Sequence, residues 1–82
     1  MGMGNAEQDL QRLTDILSRL LTLDTVAADE DIYRAGLTSI MVLPLLTELE
    51  DTFQLTIPDA EFLDARTPRD LARMIERLRA DN

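Results

Sequence analysis

The sequence predicts an all-α fold, a small bundle of three main helices plus one short helix, with a long first loop. Three observations lead there. Apolar residues recur at steps of three and four in three separate stretches, the period of an amphipathic helix. No stretch alternates apolar and polar residues in the manner of a half-buried strand. The 82 residues are 45% apolar, enough for one core in a chain of a size that buries only about 60% of its unfolded surface.

The opening Met1-Gly2-Met3-Gly4 reads as a flexible lead, so residues 1–5 are assigned to a flexible N-terminus and residues 6–80 to a single domain. The first helix is predicted over residues 6–21. Asn5 can cap it, with Gln8 three positions on in a loose capping-box arrangement. Leu10, Leu13, Leu17 and Leu20 keep helical spacing, Ile16 and Leu21 widen the stripe, and Arg12 and Arg19 fall on the other face. Residues 22–38 have no period and contain the run Asp29-Glu30-Asp31 and the turn residue Gly36. A connection this long is either functional or pinned by its own apolar residues; Leu23, Val26, Ile32, Tyr33 and Leu37 are the candidates.

A second helix is predicted from Ser39 to about Phe53, with Ile40, Leu43, Leu46, Leu49 and Phe53 marking one face. Thr38 or Ser39 supplies its N-cap. Pro44 lacks the N–H that would reach the carbonyl of Ile40, and its ring crowds that carbonyl. A kink, or a helix regular only after Pro44, is therefore expected. A connector follows through Gln54-Leu55-Thr56-Ile57-Pro58-Asp59, then a brief turn at residues 60–64. The last helix is well signalled: Thr67 can cap it, Pro68 suits its first position, and Asp70 completes a T-x-x-D box. Leu71, Met74, Ile75 and Leu78 form its apolar face.

Composition narrows the function. Cysteine and histidine are both absent, which removes disulfides, thiolate catalysis, Cys/His zinc sites and any serine mechanism with an imidazole base. With no nucleophile and base to pair, the chain is read as non-enzymatic. Sixteen acids face eight bases, and all eight bases are Arg. Residues 1–65 carry a net −10 and residues 66–82 a net +2. So acidic a body repels phosphate backbones and argues against nucleic-acid binding; basic patches on protein partners would attract it. No run of eighteen apolar residues is present to span a membrane, and no secretory signal opens the chain. A cytoplasmic monomer is expected. The acidic run at residues 29–31 lacks the Gly and distal Glu of a calcium loop and is read as solvated loop or helix cap. The arginines of the last helix are read as offsetting the acidic body, Tyr33 as a packing anchor, and no metal site is expected.

The stretch Gly36-Leu37-Thr38-Ser39-Ile40 carries the chemistry. It is a glycine turn followed by a hydroxyl at a helix N-terminus, where unpaired N–H groups and the positive dipole end favour a phosphate ester. On these residues alone, Ser39 either caps its helix or carries such a group.

From Asp31 to Leu78 the chain resembles the acyl and peptidyl carrier proteins. Their Gly-x-Asp-Ser-Leu motif opens the second helix, and Gly36-Leu37-Thr38-Ser39-Ile40 matches it with Thr38 in place of Asp and Ile40 in place of Leu. Leu45, Leu46, Leu49 and Phe53 fall where that helix carries core residues. Ile57-Pro58-Asp59 matches the Ile-Pro-Asp that follows, Asp31-Ile32-Tyr33 resembles the run before the motif, and Thr67-Pro68 with Leu71 and Ile75 fits the last helix. The resemblance implies a covalent 4'-phosphopantetheine arm on Ser39, taken from coenzyme A, whose thiol holds acyl or aminoacyl cargo as a thioester. It implies a docking surface of Leu37, Thr38, Ile40, Met41 and Val42. The partners it implies are a phosphopantetheinyl transferase, a cargo-loading ligase or synthetase, and downstream acyl-transferring enzymes. Ile40 to Leu45 contains no acid, which resembles stand-alone aminoacyl carriers or nonribosomal peptide carriers more than fatty-acid carriers. The alternative is a cofactor-free helical adaptor that grips a partner through Ile40, Met41 and Val42.

Overall fold

The structure is a computed structural model that describes residues 5–81, so the lead up to Gly4 lies outside the described residues. Four helices follow in order: α1 (Asn5–Leu21), α2 (Ser39–Phe53), α3 (Asp59–Asp64) and α4 (Pro68–Asp81). The expected number, order and lengths hold, and no strand occurs among the described residues. Asn5 falls inside α1 rather than ahead of it.

The amphipathic stripes explain the assembly. Helix α1 lies chiefly against α4 and also meets α2, while α3 rests on α4. Leu13, Ile16 and Leu17 from α1 meet Leu71, Met74 and Ile75 from α4 in one buried cluster, with Leu10, Leu20, Leu21 and Leu78 at its margin. The α1–α4 pair is tied by charge as well. Arg79 donates two hydrogen bonds to the Asp9 carboxylate, at 3.0 and 3.1 Å. Asp9 is the buried charged residue of the described chain, and a buried carboxylate without such a partner would be strongly destabilising.

The helix ends follow local chemistry. Asp70 N–H donates to Thr67 Oγ1 at 3.0 Å, as the box predicts. The Asp70 carboxylate reaches back one residue further than expected, accepting from Arg66 N–H at 3.2 Å. Helix α1 ends in a Schellman motif without glycine: Thr22 has φ +58°, and Leu23 N–H donates to the Ser18 carbonyl at 2.9 Å. Gln54 closes α2 in the same left-handed conformation, with φ +56°.

Two expectations for α2 are corrected. The helix runs unbroken from Ser39 through Pro44 to Phe53, so regular structure does not wait until after the proline. Pro44 is exposed and lies only one turn beyond the helix start, so the bond it removes is that of the carbonyl of Ile40, itself an exposed residue. The buried face is also displaced. Leu45, Leu46, Leu49 and Phe53 are buried, in the register of the carrier-protein resemblance, whereas Ile40 is 85% and Leu43 68% exposed. The first half of α2 is apolar on every side, so period alone could not fix which side packs.

Candidate functional site

The long loop is pinned, and that pinning delivers Ser39. Val26, Ile32 and Leu37 are buried in the core cluster and Tyr33 packs against it, whereas Leu23 is exposed and pins nothing. Backbone bonds fasten the loop to the α3–α4 connection: Ile32 N–H donates to the Arg66 carbonyl at 2.8 Å, and Arg69 N–H to the Ala28 carbonyl at 2.9 Å. The acidic run acts here as cap and clamp. Asp31 Oδ1 accepts from Tyr33 N–H at 2.9 Å and Arg34 N–H at 3.2 Å, and Oδ2 from Arg66 Nε at 3.1 Å. The Arg66 guanidinium also lies 4.9 Å from the centre of the Tyr33 ring, within cation–π range. Asp29 receives the Arg69 fork, with contacts of 2.8 and 3.3 Å.

These contacts shift the two carboxyls. The Arg69 hydrogen bond, helped by the charges of Arg69 and Arg73, holds Asp29 below the usual carboxylate value against a desolvation that pushes the other way. Desolvation pushes Asp31 up, but the Arg34 and Tyr33 N–H donors and the Arg66 guanidinium outweigh it, and the carboxyl lies low. No group of three or more His, Cys, Asp or Glu among the described residues is placed to hold a metal ion.

The loop turns into α2 at Gly36, whose φ of +129° is hard for any side chain to adopt. Space is not the constraint there, since a Cβ would meet only Leu21 Cδ2 at 4.0 Å. Leu37 N–H bonds the Ile32 carbonyl at 3.0 Å and the Leu37 side chain is buried. Thr38 follows in extended conformation as the N-cap, and its side chain makes no cap hydrogen bond. Ser39 is thus the first helical residue and not the cap, and it is exposed. No acid lies in the first turn of α2. A hydroxyl outside the cap, beside unpaired helix N–H groups and no neighbouring carboxylate of that turn, fits an attached phosphodiester.

The expected surface residues separate accordingly. Thr38, Ser39 and Ile40 are exposed together, and Met41 and Val42 are half-buried against the core. Leu37 is buried in the core cluster and is not itself surface. Two residues outside the expected set, Leu43 and Leu63, are exposed beside them. Leu63 follows the buried Phe62 on the six-residue α3, and no sequence signal marked it out. The arginines fall as expected: Arg66, Arg69, Arg77 and Arg79 pair with Asp31, Asp29, Glu61 and Asp9.

Four helices, a long pinned first loop and a serine opening the second helix define an acyl-carrier-type fold. A solved structure of that fold is BlmI, a type-II acyl-carrier-protein from Streptomyces verticillus involved in bleomycin biosynthesis. The likeness has a TM-score of 0.78 at 20% identity and covers 93% of this chain and 88% of that one. At sequence level, residues 11–75 match the phosphopantetheine attachment site family, and the chain belongs to it. Its cofactor is covalent 4'-phosphopantetheine, and the chain is a carrier rather than a catalyst. The chain is also 36% identical over 53 residues to the non-reducing polyketide synthase Preu3 of Preussia isomera. The matched stretch is 65% of this chain and 2% of that synthase, so the chain spans a very small part of its relative. No helix of the described residues is long and apolar enough to cross a membrane.

Proposed function

We propose that residues 6–80 form one carrier domain that holds acyl or aminoacyl cargo on a phosphopantetheine arm attached at Ser39. The observation that carries this reading is the placement of Ser39. It is an exposed hydroxyl at the first position of α2, freed from capping by Thr38 and delivered by a loop locked through Ile32 and Leu37. When bound, the arm supplies a terminal thiol that holds cargo as a thioester. The protein's own contribution is positional. The α2 start favours the phosphodiester charge by about 0.3–1 kcal/mol, and the rigid loop fixes where the arm leaves the surface. A phosphopantetheinyl transferase, a cargo-loading ligase or synthetase, and acyl-transferring enzymes meet the monomeric protein in the cytoplasm around Thr38, Ile40, Met41 and Val42.

The charge-free stretch Ile40 to Thr47 supports partners that read shape and apolar contact. It favours aminoacyl, peptidyl or polyketide-type cargo over the fatty-acid carriers, and the polyketide synthase relative accords with that class. A cofactor-free adaptor gives way to family membership.

The test is incubation with coenzyme A and a broad-specificity pantetheinyl transferase, read by intact mass. One phosphopantetheine unit is gained by the wild type and none by Ser39→Ala. A gain that survives the substitution removes Ser39 from the role.

A further inference from the structure

Helix α2 runs unbroken through Pro44, yet proline has no N–H to give the Ile40 carbonyl one turn earlier. That carbonyl lacks its helical donor, and a backbone acceptor in that position takes a partner from water or from a bound group. It belongs to the residue next to Ser39. At 3.6 residues per turn, Ser39, Ile40, Leu43, Pro44 and Thr47 fall within about 140° of the helix circumference. All of them are exposed, Ile40 at 85% and Leu43 at 68%, and no residue from Ser39 to Thr47 is charged. The solvent side of a helix is ordinarily charged or polar. Here it is largely apolar and carries a spare acceptor, with the attachment serine at its head.

The cofactor of the family has the matching chemistry. A phosphopantetheine arm starts at its phosphodiester, continues through a carbon bearing two methyl groups, and holds two amide N–H donors before the thiol. Extended, it is as long as about five residues, about 17 Å. Ser39 to Thr47 spans about 12 Å along the helix axis. The residues present fit that order of groups: Ser39 for attachment, Ile40 and Leu43 for the methyls, and the Ile40 carbonyl for an amide.

We infer that the Ile40 carbonyl, released by Pro44, accepts a hydrogen bond from the nearer amide N–H of the arm, with Ile40 and Leu43 against its methyl groups. Pro44 is thus a positioning residue, because it keeps the acceptor open. The exposed side of α2 then holds the base of the arm instead of leaving it in water. The inference rests on Ser39 being the attachment residue and adds the first contact between arm and protein.

The test uses the full chain carrying an arm from coenzyme A isotope-labelled in its pantetheine amides, and reads amide hydrogen exchange by NMR. In the wild type the nearer arm amide exchanges about threefold to tenfold more slowly than in Pro44→Ala, the ratio one net hydrogen bond supports. Both proteins carry the same charge, so the field of the acidic body cancels in that ratio. The outer amide differs by less than about twofold. Circular dichroism checks that Pro44→Ala is folded. Leu43→Ser keeps the acceptor open but loses aliphatic support, and lowers the protection about twofold. Rates for wild type and Pro44→Ala within about 1.5-fold of each other would overturn the inference. So would protection that grows with protein concentration, because the acceptor would then belong to a second copy. Failure of the Ser39 reading is distinguishable, since intact mass would then show no gain, or a gain that survives Ser39→Ala.

Discussion

Replacing Ile32 with alanine removes three buried carbons from the residue that anchors the long loop. Ile32 is fully buried, and its backbone bonds both the α3–α4 connection and Leu37. At about 0.8 kcal/mol per buried carbon, the transfer term is about 2.4 kcal/mol, and the cavity left behind brings the loss to about 3 kcal/mol. A domain of 82 residues has about 4–12 kcal/mol of stability in all, so this one side chain supplies a large share. Ile32→Val, which removes one carbon, is expected to lose about 1 kcal/mol. Urea unfolding followed by circular dichroism measures both, with the denaturant slope unchanged. The midpoint temperature of Ile32→Ala should fall by about 12–24 °C, from about 4–8 °C per kcal/mol at this size. A loss below about 1 kcal/mol for Ile32→Ala would mean that the loop is not held by its apolar residues, and the fixed placement of Ser39 would lose its basis.

Two further perturbations probe α2 and the clamp. Pro44→Ala restores the N–H that bonds the Ile40 carbonyl in an exposed helix, and stability should rise by about 1–3 kcal/mol; a fall in the urea midpoint would refute that account of Pro44. Asp29 and Asp31 both titrate below the ordinary value of 3.8 when folded. Their contribution is therefore full above that value and is lost as pH falls through the lower folded values. Stability measured from pH 6 down to about pH 2 should decline less steeply in Asp29→Asn and Asp31→Asn, and an unchanged acid limb in both would show that these pairs add nothing.

Much of this protein could be read from residue order because local and global signals agree. The stripes of α1 and α4 are one-sided, with Arg12, Arg19, Arg73 and Arg77 exposed on the opposite faces, so only one side of each helix could pack. Thr67, Pro68 and Asp70 placed the start of α4 through chemistry that acts within four residues. Where the signal failed, it was ambiguous in physical terms. The first half of α2 is apolar all round, so Ile40 and Leu43 could be put in the core by spacing alone, and only the tertiary arrangement leaves them in solvent. Leu37 lies two residues before Ser39 in sequence, yet its side chain is buried, following the turn at Gly36. The ends of α1 and α2 at Thr22 and Gln54 carry no glycine and so no local stop signal. The pairs Asp9–Arg79 and Asp31–Arg66 join residues far apart in sequence, which periodicity cannot detect. The placement of Ser39 drew on both kinds of signal, since its hydroxyl was legible as a helix-start group and its freedom from capping was not.

The central claim is that Ser39 bears the arm. Fragmentation mass spectrometry of the proteolytic peptide spanning Gly36 to Ile40, from protein purified from its native cell, tests it most directly. The account predicts phosphopantetheine on the Ser39 oxygen, with any cargo adding its own mass to the arm. An unmodified Ser39 in fully processed protein, or the arm on Thr38 instead, would contradict it.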